Sequence, residues 1–327
     1  MRNVLVTGGA GYIGSHACKH LAQRGYTPVA FDNLSTGWAQ AVKYGPLVQA
    51  DLLNRAAIDK AIAEYEPIAI MHFAAFSLVG ESMIDPAKYW RNNVLGSLNL
   101  IEAATAAGIS KFVFSSTCAV YGEADGIVLT EENPLAPINA YGSSKLAVEG
   151  ILRDFGVAKG LESVIFRYFN VAGADPAGEI GECHRPETHL IPVMLEAIDG
   201  QRPALEIHGN DYPTHDGTCI RDYVHVADLA EAHVLGIEWL LGGNGSRVFN
   251  LGTGAGFSVK EVIRHARAAT GKRVPHHFGP RRPGDAASLV SGSQRAIREL
   301  GWAPERSSLK LMIADAWQWH RSGGYSG

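Results

Sequence analysis

The first half of the chain alternates short apolar runs with longer segments whose apolar residues recur at helical spacing. Strands are predicted at Asn3–Thr7, Pro28–Asp32, Leu47–Gln49, Ala69–Phe73, Phe112–Ser115 and Val164–Arg167. Helices are predicted between them, at Gly11–Arg24, Arg55–Glu64, Asn92–Ala107 and Tyr141–Lys159. Alternation of this kind implies right-handed crossovers and an α/β fold: a doubly wound parallel sheet covered by helices on both faces. Beyond about residue 172 the pattern changes. Gly, Pro, Asp and His rise across Ala174–Arg185 and Gly209–Gly217, and the predicted helices are Leu190–Asp199, Ala227–Leu240, Ser258–Thr270 and Ser293–Leu300. The chain therefore divides into residues 1–172 and a smaller C-terminal α/β lobe, 173–327, with some chain crossing back to the first unit.

Composition narrows the function classes. Of 327 residues, 46% are hydrophobic and 19% charged, and the net charge of −4 comes without a basic tract. Nucleic acid is thus an unexpected partner, since its recognition needs a concentrated positive surface. The longest apolar stretch, Ile68–Gly80, is broken by His72 and Ser77 and is too short to span a bilayer. The N-terminal residues lack the long apolar core of a signal peptide, so a cytoplasmic location is expected. Cys18, Cys118, Cys183 and Cys219 are scattered and read as reduced, structural thiols.

The first chemistry-bearing motif follows the first strand. Gly8-Gly9-Ala10-Gly11-Tyr12-Ile13-Gly14 joins that strand to the next helix. Glycine serves a tight turn, close approach of backbone to pyrophosphate, and close packing of helix on strand. The helix start adds free N–H groups and a partial positive charge. Asp32 ends the second strand, where a carboxylate accepts from an adenosine ribose and repels a 2′-phosphate. A Rossmann unit binding NAD rather than NADP is predicted.

The second motif is Tyr141-Gly-Ser-Ser-Lys145, a phenol and an ammonium on one helix face. Lys145 and a positive nicotinamide ring would stabilise the phenolate and lower its pKa towards neutrality. A phenolate so placed can take a proton from a substrate hydroxyl as hydride leaves for NAD. The polar run Ser115-Ser116-Thr117 precedes the pair within the nucleotide-binding half.

Longer motifs accompany these. They are Val6–His16, Phe31–Asn33, His72–Ala74, Gly80–Ser82, Asn92-Asn93, Phe114–Thr117, Arg167–Asn170, Gly209–Thr214, Asp216–Thr218, Arg221–His225 and Arg281–Asp285. With them the chain resembles, nearly end to end, the extended short-chain dehydrogenase/reductase family and its branch of UDP-glucose 4-epimerases. The resemblance implies that Tyr141 is the catalytic base and acid, tuned by Lys145, with Thr117 bonding the sugar 4-hydroxyl. It implies an NAD site lined by Gly8, Gly11, Tyr12, Ile13, Gly14, Asp32, Asn33, Asp51, Leu52, Phe73, Ala74, Asn92, Ser115 and Phe169, beside Tyr141 and Lys145. It implies that Asn170, His189, Leu190, Glu206, Ile207, His208, Arg221, Arg282, Asp285 and Leu289 hold the UDP-sugar. The implied reaction has no net redox change: C4 becomes a ketone and is reduced on its other face while NAD stays bound. A homodimer through the helices at Asn92–Ala107 and Tyr141–Lys159 is implied as well.

Some positions depart from the family pattern or leave alternatives open. Ser77 stands where some members carry Lys, and His189 where many carry Asn. Leu289 replaces a bulky Tyr of narrow-specificity members, and either admits UDP-N-acetylglucosamine or fills an apolar wall; UDP-xylose is a further alternative substrate, because its epimerases share the motifs. Cys118-Ala119 follows Thr117 where sugar-nucleotide dehydratases carry Asp-Glu, which disfavours dehydration. A non-catalytic NAD sensor or scaffold is expected to lose the Tyr–Lys pair, which this chain keeps. No metal site is expected, because the spacing of His184 and His189 does not by itself make one.

Overall fold

A computed structural model describes residues 2–123, 126–282 and 285–325. The elements are, in order, β1 (Asn3–Thr7), α1 (Tyr12–Gln23), β2 (Thr27–Asp32), β3 (Leu47–Gln49), α2 (Arg55–Tyr65), β4 (Ala69–His72), α3 (Val79–Ile84), α4 (Pro86–Tyr89), α5 (Gly96–Ala106), β5 (Lys111–Ser115), β6 (Val128–Leu129) and α6 (Ala140–Lys159). There follow β7 (Glu162–Tyr168), β8 (Asn170–Ala172), α7 (Leu190–Asp199), β9 (Leu205–His208), β10 (Ile220–His225), α8 (Val226–Leu241), β11 (Arg247–Leu251), β12 (Gly256–Ser258), α9 (Val259–Thr270), β13 (His276–Gly279), β14 (Ser288–Ser291) and α10 (Leu309–Arg321). The six strands expected in the first half form within two residues of their predicted bounds.

Seven strands build one parallel sheet in the order β11-β7-β5-β4-β1-β2-β3. Alternation along β1 explains its two-faced burial. Val4 and Val6 enter a core with Ala17 and Leu21 of α1 and Leu229, Val234 and Ile237 of α8. Leu5 points the other way, into a core with Ile58 of α2, Leu100 of α5 and Leu152 of α6. Strand order reverses between β1 and β4, and ligands of open α/β sheets bind in the crevice at such a switch point.

The chain crosses between layers more than once. β8 and β6, from the first half, pair with β10 and β14 in a smaller sheet ordered β12-β10-β14-β6. Conversely α8 packs on α1 and β11 extends the large sheet beside β7. A third apolar core joins α7, α9 and α10 through Met194, Leu195, Val262, Met312 and Ile313. The helix expected over Asn92–Ala107 begins as a π-helical turn at Trp90–Leu95, and the one expected over Ser293–Leu300 is π-helical at Ala296–Leu300.

Candidate active site

The glycine turn lies over the switch point. Gly8 sits at φ +73, and a Cβ there would come within 2.7 Å of the Ala74 nitrogen. A Cβ on Gly14 would lie 2.1 Å from the Gly8 carbonyl oxygen, so close packing of α1 on the turn requires glycine. Gly11 differs: its nearest neighbour would be 3.2 Å away. It is also the N-cap of α1, with no side-chain cap on the first turn. That leaves N–H groups of a 12-residue helix for an anion. Asp32 is buried at the end of β2, accepting from Ala10 N at 3.0 Å and Leu34 N at 2.8 Å. Burial pushes its carboxyl up, and the two N–H donors oppose that rise. Next to it, Asn33 Nδ2 donates to Asp51 Oδ2 at 2.8 Å, which sets Asp51 and Leu52 beside the acid. A glycine-rich turn before an uncapped helix, with a carboxylate at the next strand end, fits a dinucleotide with a free ribose diol.

Across the switch point, Tyr141 and Lys145 share the first turns of α6, whose N-cap Asn139 accepts from Gly142 N at 2.8 Å. Lys145 is buried, and its Nζ donates to the Ser115 carbonyl at 2.7 Å. Desolvation lowers the ammonium to about 7, with the Glu149 charge one turn later opposing the fall. The phenol behaves otherwise than the motif suggested. Burial raises Tyr141 to about 12, and the bond to the Thr117 hydroxyl only partly offsets it. Within the protein alone, then, Lys145 does not make Tyr141 acidic; a further positive charge is needed for that. Thr117 is buried at the start of the turn Cys118–Tyr121.

Of the residues that the resemblance assigns to the sugar nucleotide, Asn170, Arg221 and Leu289 lie on the smaller sheet, while Glu206, Ile207 and His208 lie on β9, which pairs with β13. Asn170 on β8 donates to the Asp222 carbonyl at 3.0 Å. Arg221 on β10 donates to the Ile220 and Ala286 carbonyls at 2.8 and 2.9 Å, and faces Asp285 Oδ1 at 3.3 Å. Its register partner is Leu289 of β14, and Leu289 packs with Phe169 against Cys118, Val120 and Tyr121. That places Leu289 and Phe169 beside the Thr117 turn. His208 is lowered by desolvation and by the Arg282 charge, with Glu206 and Asp285 acting in the opposite direction. Glu206 Oε1 stands 4.0 Å from His208 Nδ1. Pro283 and Gly284 of the same motif lie outside the described residues.

Other placements differ from the sequence expectation. The Ile207 side chain is buried in the core of the second lobe, because β9 alternates and turns Glu206 and His208 to the other face. His189 is the N-cap of α7, immediately before Leu190, and its ring engages Glu182 and Glu187. His184 joins the same group. Spacing alone did not suggest that meeting. Tyr12 donates to the Gly173 carbonyl at 2.6 Å, while Ile13 and Phe73 pack against the core below the turn.

Comparison with known proteins decides the family. The model of the NAD dependent epimerase/dehydratase family matches residues 4–252. The chain belongs to that family. It is 49% identical over 318 residues to UDP-glucose 4-epimerase of Rhizobium meliloti (strain 1021), covering 97% of each chain. The crystal structure of UDP-glucose 4-epimerase from Brucella ovis in complex with NAD superposes with a TM-score of 0.95 at 47% identity, covering 97% of this chain and 98% of that one. The corresponding enzyme from Bifidobacterium longum, in complex with NAD+ and UDP, gives 0.92 at 36% identity over 98% of both chains.

For a member of the NAD-dependent epimerase/dehydratase family, the site has more support than its motifs disclosed. Asn93, not only Asn92, organises it: the buried amide bonds Phe76 N and O and Ser144 Oγ, tying the loop after β4 to α6. Behind Lys145, Glu149 accepts from Ser116 Oγ at 2.5 Å and from Arg167 Nε at 3.0 Å. Arg167 also donates to Tyr121 Oη at 3.0 Å, which in turn donates to Asn250 Oδ1 at 2.6 Å. A Lys with Glu one helical turn later was the available signal for Glu149. Nothing local marked Asn250, which arrives on β11 from the far half.

Proposed function

We propose that this chain interconverts UDP-glucose and UDP-galactose by inverting the configuration at C4 of the sugar, with NAD held throughout. The observation that carries the reading is the joint placement of Tyr141, Thr117 and Lys145. The Thr117 hydroxyl lies close enough to the phenol to oppose the rise that burial imposes on it, and the buried ammonium is anchored to Ser115 at the end of a central strand.

Bound NAD supplies the two-electron acceptor and donor for C4. The chain supplies the proton chemistry and the grip. Tyr141 Oη takes the proton of the sugar 4-hydroxyl and returns it, with the Thr117 hydroxyl as its bonded neighbour. Burial holds the phenol at about 12, and a bound NAD+ would supply the positive charge that lowers it towards working range. Lys145 keeps its position through the Ser115 carbonyl and Glu149. Arg221 offers a forked cation to the diphosphate, held in place by two main-chain carbonyls. Grip concentrated on the nucleotide lets the sugar present either face.

A cytoplasmic homodimer serving galactose metabolism completes the reading. Trp90 and Leu95 on the π-helical turn and Val157 on α6 are exposed apolar side chains on the helices assigned to that interface. All four cysteines are free, as in a reducing compartment. A panel of UDP-glucose, UDP-N-acetylglucosamine and UDP-xylose tests the reading; inactivity on UDP-glucose would sink it.

A further inference from the structure

The segment leading from the first lobe into α7 gathers four potential metal ligands that the epimerase chemistry does not use. Glu182, His184, Glu187 and His189 each offer one ligand atom, and those atoms lie within 4.8 Å of one another. Their spacing is Glu-x-His-x-x-Glu-x-His, with both histidines presenting Nδ1. His184 Nδ1 stands 3.3 Å from Glu182 Oε1 and 3.5 Å from Glu187 Oε2. His189 Nδ1 stands 2.9 Å from Glu182 Oε1 and 3.0 Å from Glu187 Oε1. A tetrahedral shell with bonds of about 2.0–2.2 Å separates its donors by roughly 3.3–3.5 Å. The four imidazole–carboxylate separations, 2.9–3.5 Å, bracket that distance, and a small closing of the remaining separations completes such a shell.

Burial points the same way. The Glu182 and Glu187 side chains are only 8% and 5% exposed, although both are carboxylates converging on one spot. Two buried like charges need strong compensation at their meeting point. His184 Nδ1 is buried, faces both carboxylates, and makes no hydrogen bond of good geometry with either. The backbone is fixed from three sides: Trp319 Nε1 donates to the Glu182 carbonyl at 2.9 Å, Trp38 Nε1 to the Cys183 carbonyl at 2.7 Å, and Arg202 to the Glu187 carbonyl at 3.4 Å. Outer contacts of this kind hold ligating side chains in place.

We propose that Glu182, His184, Glu187 and His189 bind a divalent first-row metal ion, zinc foremost, as a structural site. Imidazole and carboxylate donors without thiolate suit zinc and its neighbours. Four protein ligands close a tetrahedral shell and leave no position for substrate, so the ion braces rather than catalyses. What it braces is the path between the two ligand-binding regions. Tyr12 of the glycine turn donates to the carbonyl of Gly173, at the start of the segment that carries the quartet, and His189 occupies the N-cap position of α7 just before Leu190. The site thus ties the dinucleotide turn to the start of the helix that follows the loop-rich segment.

The test uses the untagged chain, grown with added zinc, desalted, and analysed by inductively coupled plasma mass spectrometry. The expected content is about one metal ion per chain, and EDTA should lower the melting temperature by roughly 3 °C or more, reversed by zinc. Glu187→Gln, nearly isosteric, should lose the metal and the EDTA response while still folding; His184→Ala/His189→Ala should lose both too. Less than about a tenth of an equivalent of any first-row metal after incubation with zinc, together with a melting temperature indifferent to EDTA, overturns the proposal. The quartet would then be two carboxylates paired with two imidazolium ions. Either result is independent of epimerase turnover.

Discussion

Lys145 Nζ lies 2.7 Å from the carbonyl oxygen of Ser115, the last residue of β5. The bond joins the helix carrying Tyr141 to the strand end that leads to Thr117. Replacing Lys145 by Met removes the charge and leaves a buried carbonyl without its donor. Turnover should fall about 10²–10⁴-fold, and NAD content should fall with it. Measuring kcat beside cofactor released on denaturation checks both. Unchanged turnover would remove Lys145 from the site.

Tyr141→Phe separates binding from chemistry. The ring and its edge contact with Tyr89, at 6.4 Å between centroids, remain, while the proton carrier is lost. NAD content should stay near that of the parent, with kcat down about 10²–10⁴-fold. A variant that keeps full turnover shows that another group moves the proton.

Two glycines of the turn should fail in different ways. Gly14→Ala forces a methyl to within 2.1 Å of the Gly8 carbonyl, so stability should fall by about 1–3 kcal/mol or more. Gly11→Ala has only one neighbour, at 3.2 Å, and an ordinary φ of −81. It should fold normally and still lose NAD affinity, because its methyl enters the space before the helix N-terminus. Melting curves with and without added NAD distinguish the two outcomes; equal behaviour contradicts the assignment.

Acid should unfold the protein through buried histidines. Burial lowers His16 and His72 to about 3 and His233 to about 4, from 6.5. The unfolded chain takes up protons as pH falls through 6.5, while the folded chain does not until about 3–4. Stability from this source is therefore full above about pH 6.5 and lost progressively as pH falls from there to about 3–4, at about 1.4 kcal/mol per pH unit for each histidine. Urea unfolding between about pH 7 and about pH 5 should show a steep loss, smaller in His233→Asn. A flat profile would show that these imidazoles are already charged in the fold.

Local pattern disclosed those parts of the molecule whose causes are local. The continuous apolar run of Asn3–Thr7, the glycines after it and Asp32 were all readable, because strand, turn and helix start each leave a short-range mark. β11 was not readable as part of the large sheet, since its pairing of Phe249 with Phe166 joins segments far apart in sequence. The Glu149–Arg167–Tyr121–Asn250 chain depends on that same pairing. The helix Leu309–Arg321 did carry a signal, with Leu309, Met312, Ile313 and Ala316 buried at helical spacing behind the cap Ser308. His184 and His189 were visible but uninformative, because only the folded loop brings Glu182 and Glu187 against them.

The central claim is that C4 is oxidised and reduced in place, with Tyr141 handling only the hydroxyl proton. UDP-galactose carrying deuterium at C4, incubated with the purified protein in ordinary water, tests it most directly. The account predicts UDP-glucose that retains the deuterium at C4, seen by NMR or mass spectrometry. No conversion, or conversion with the label washed out into solvent, would contradict it.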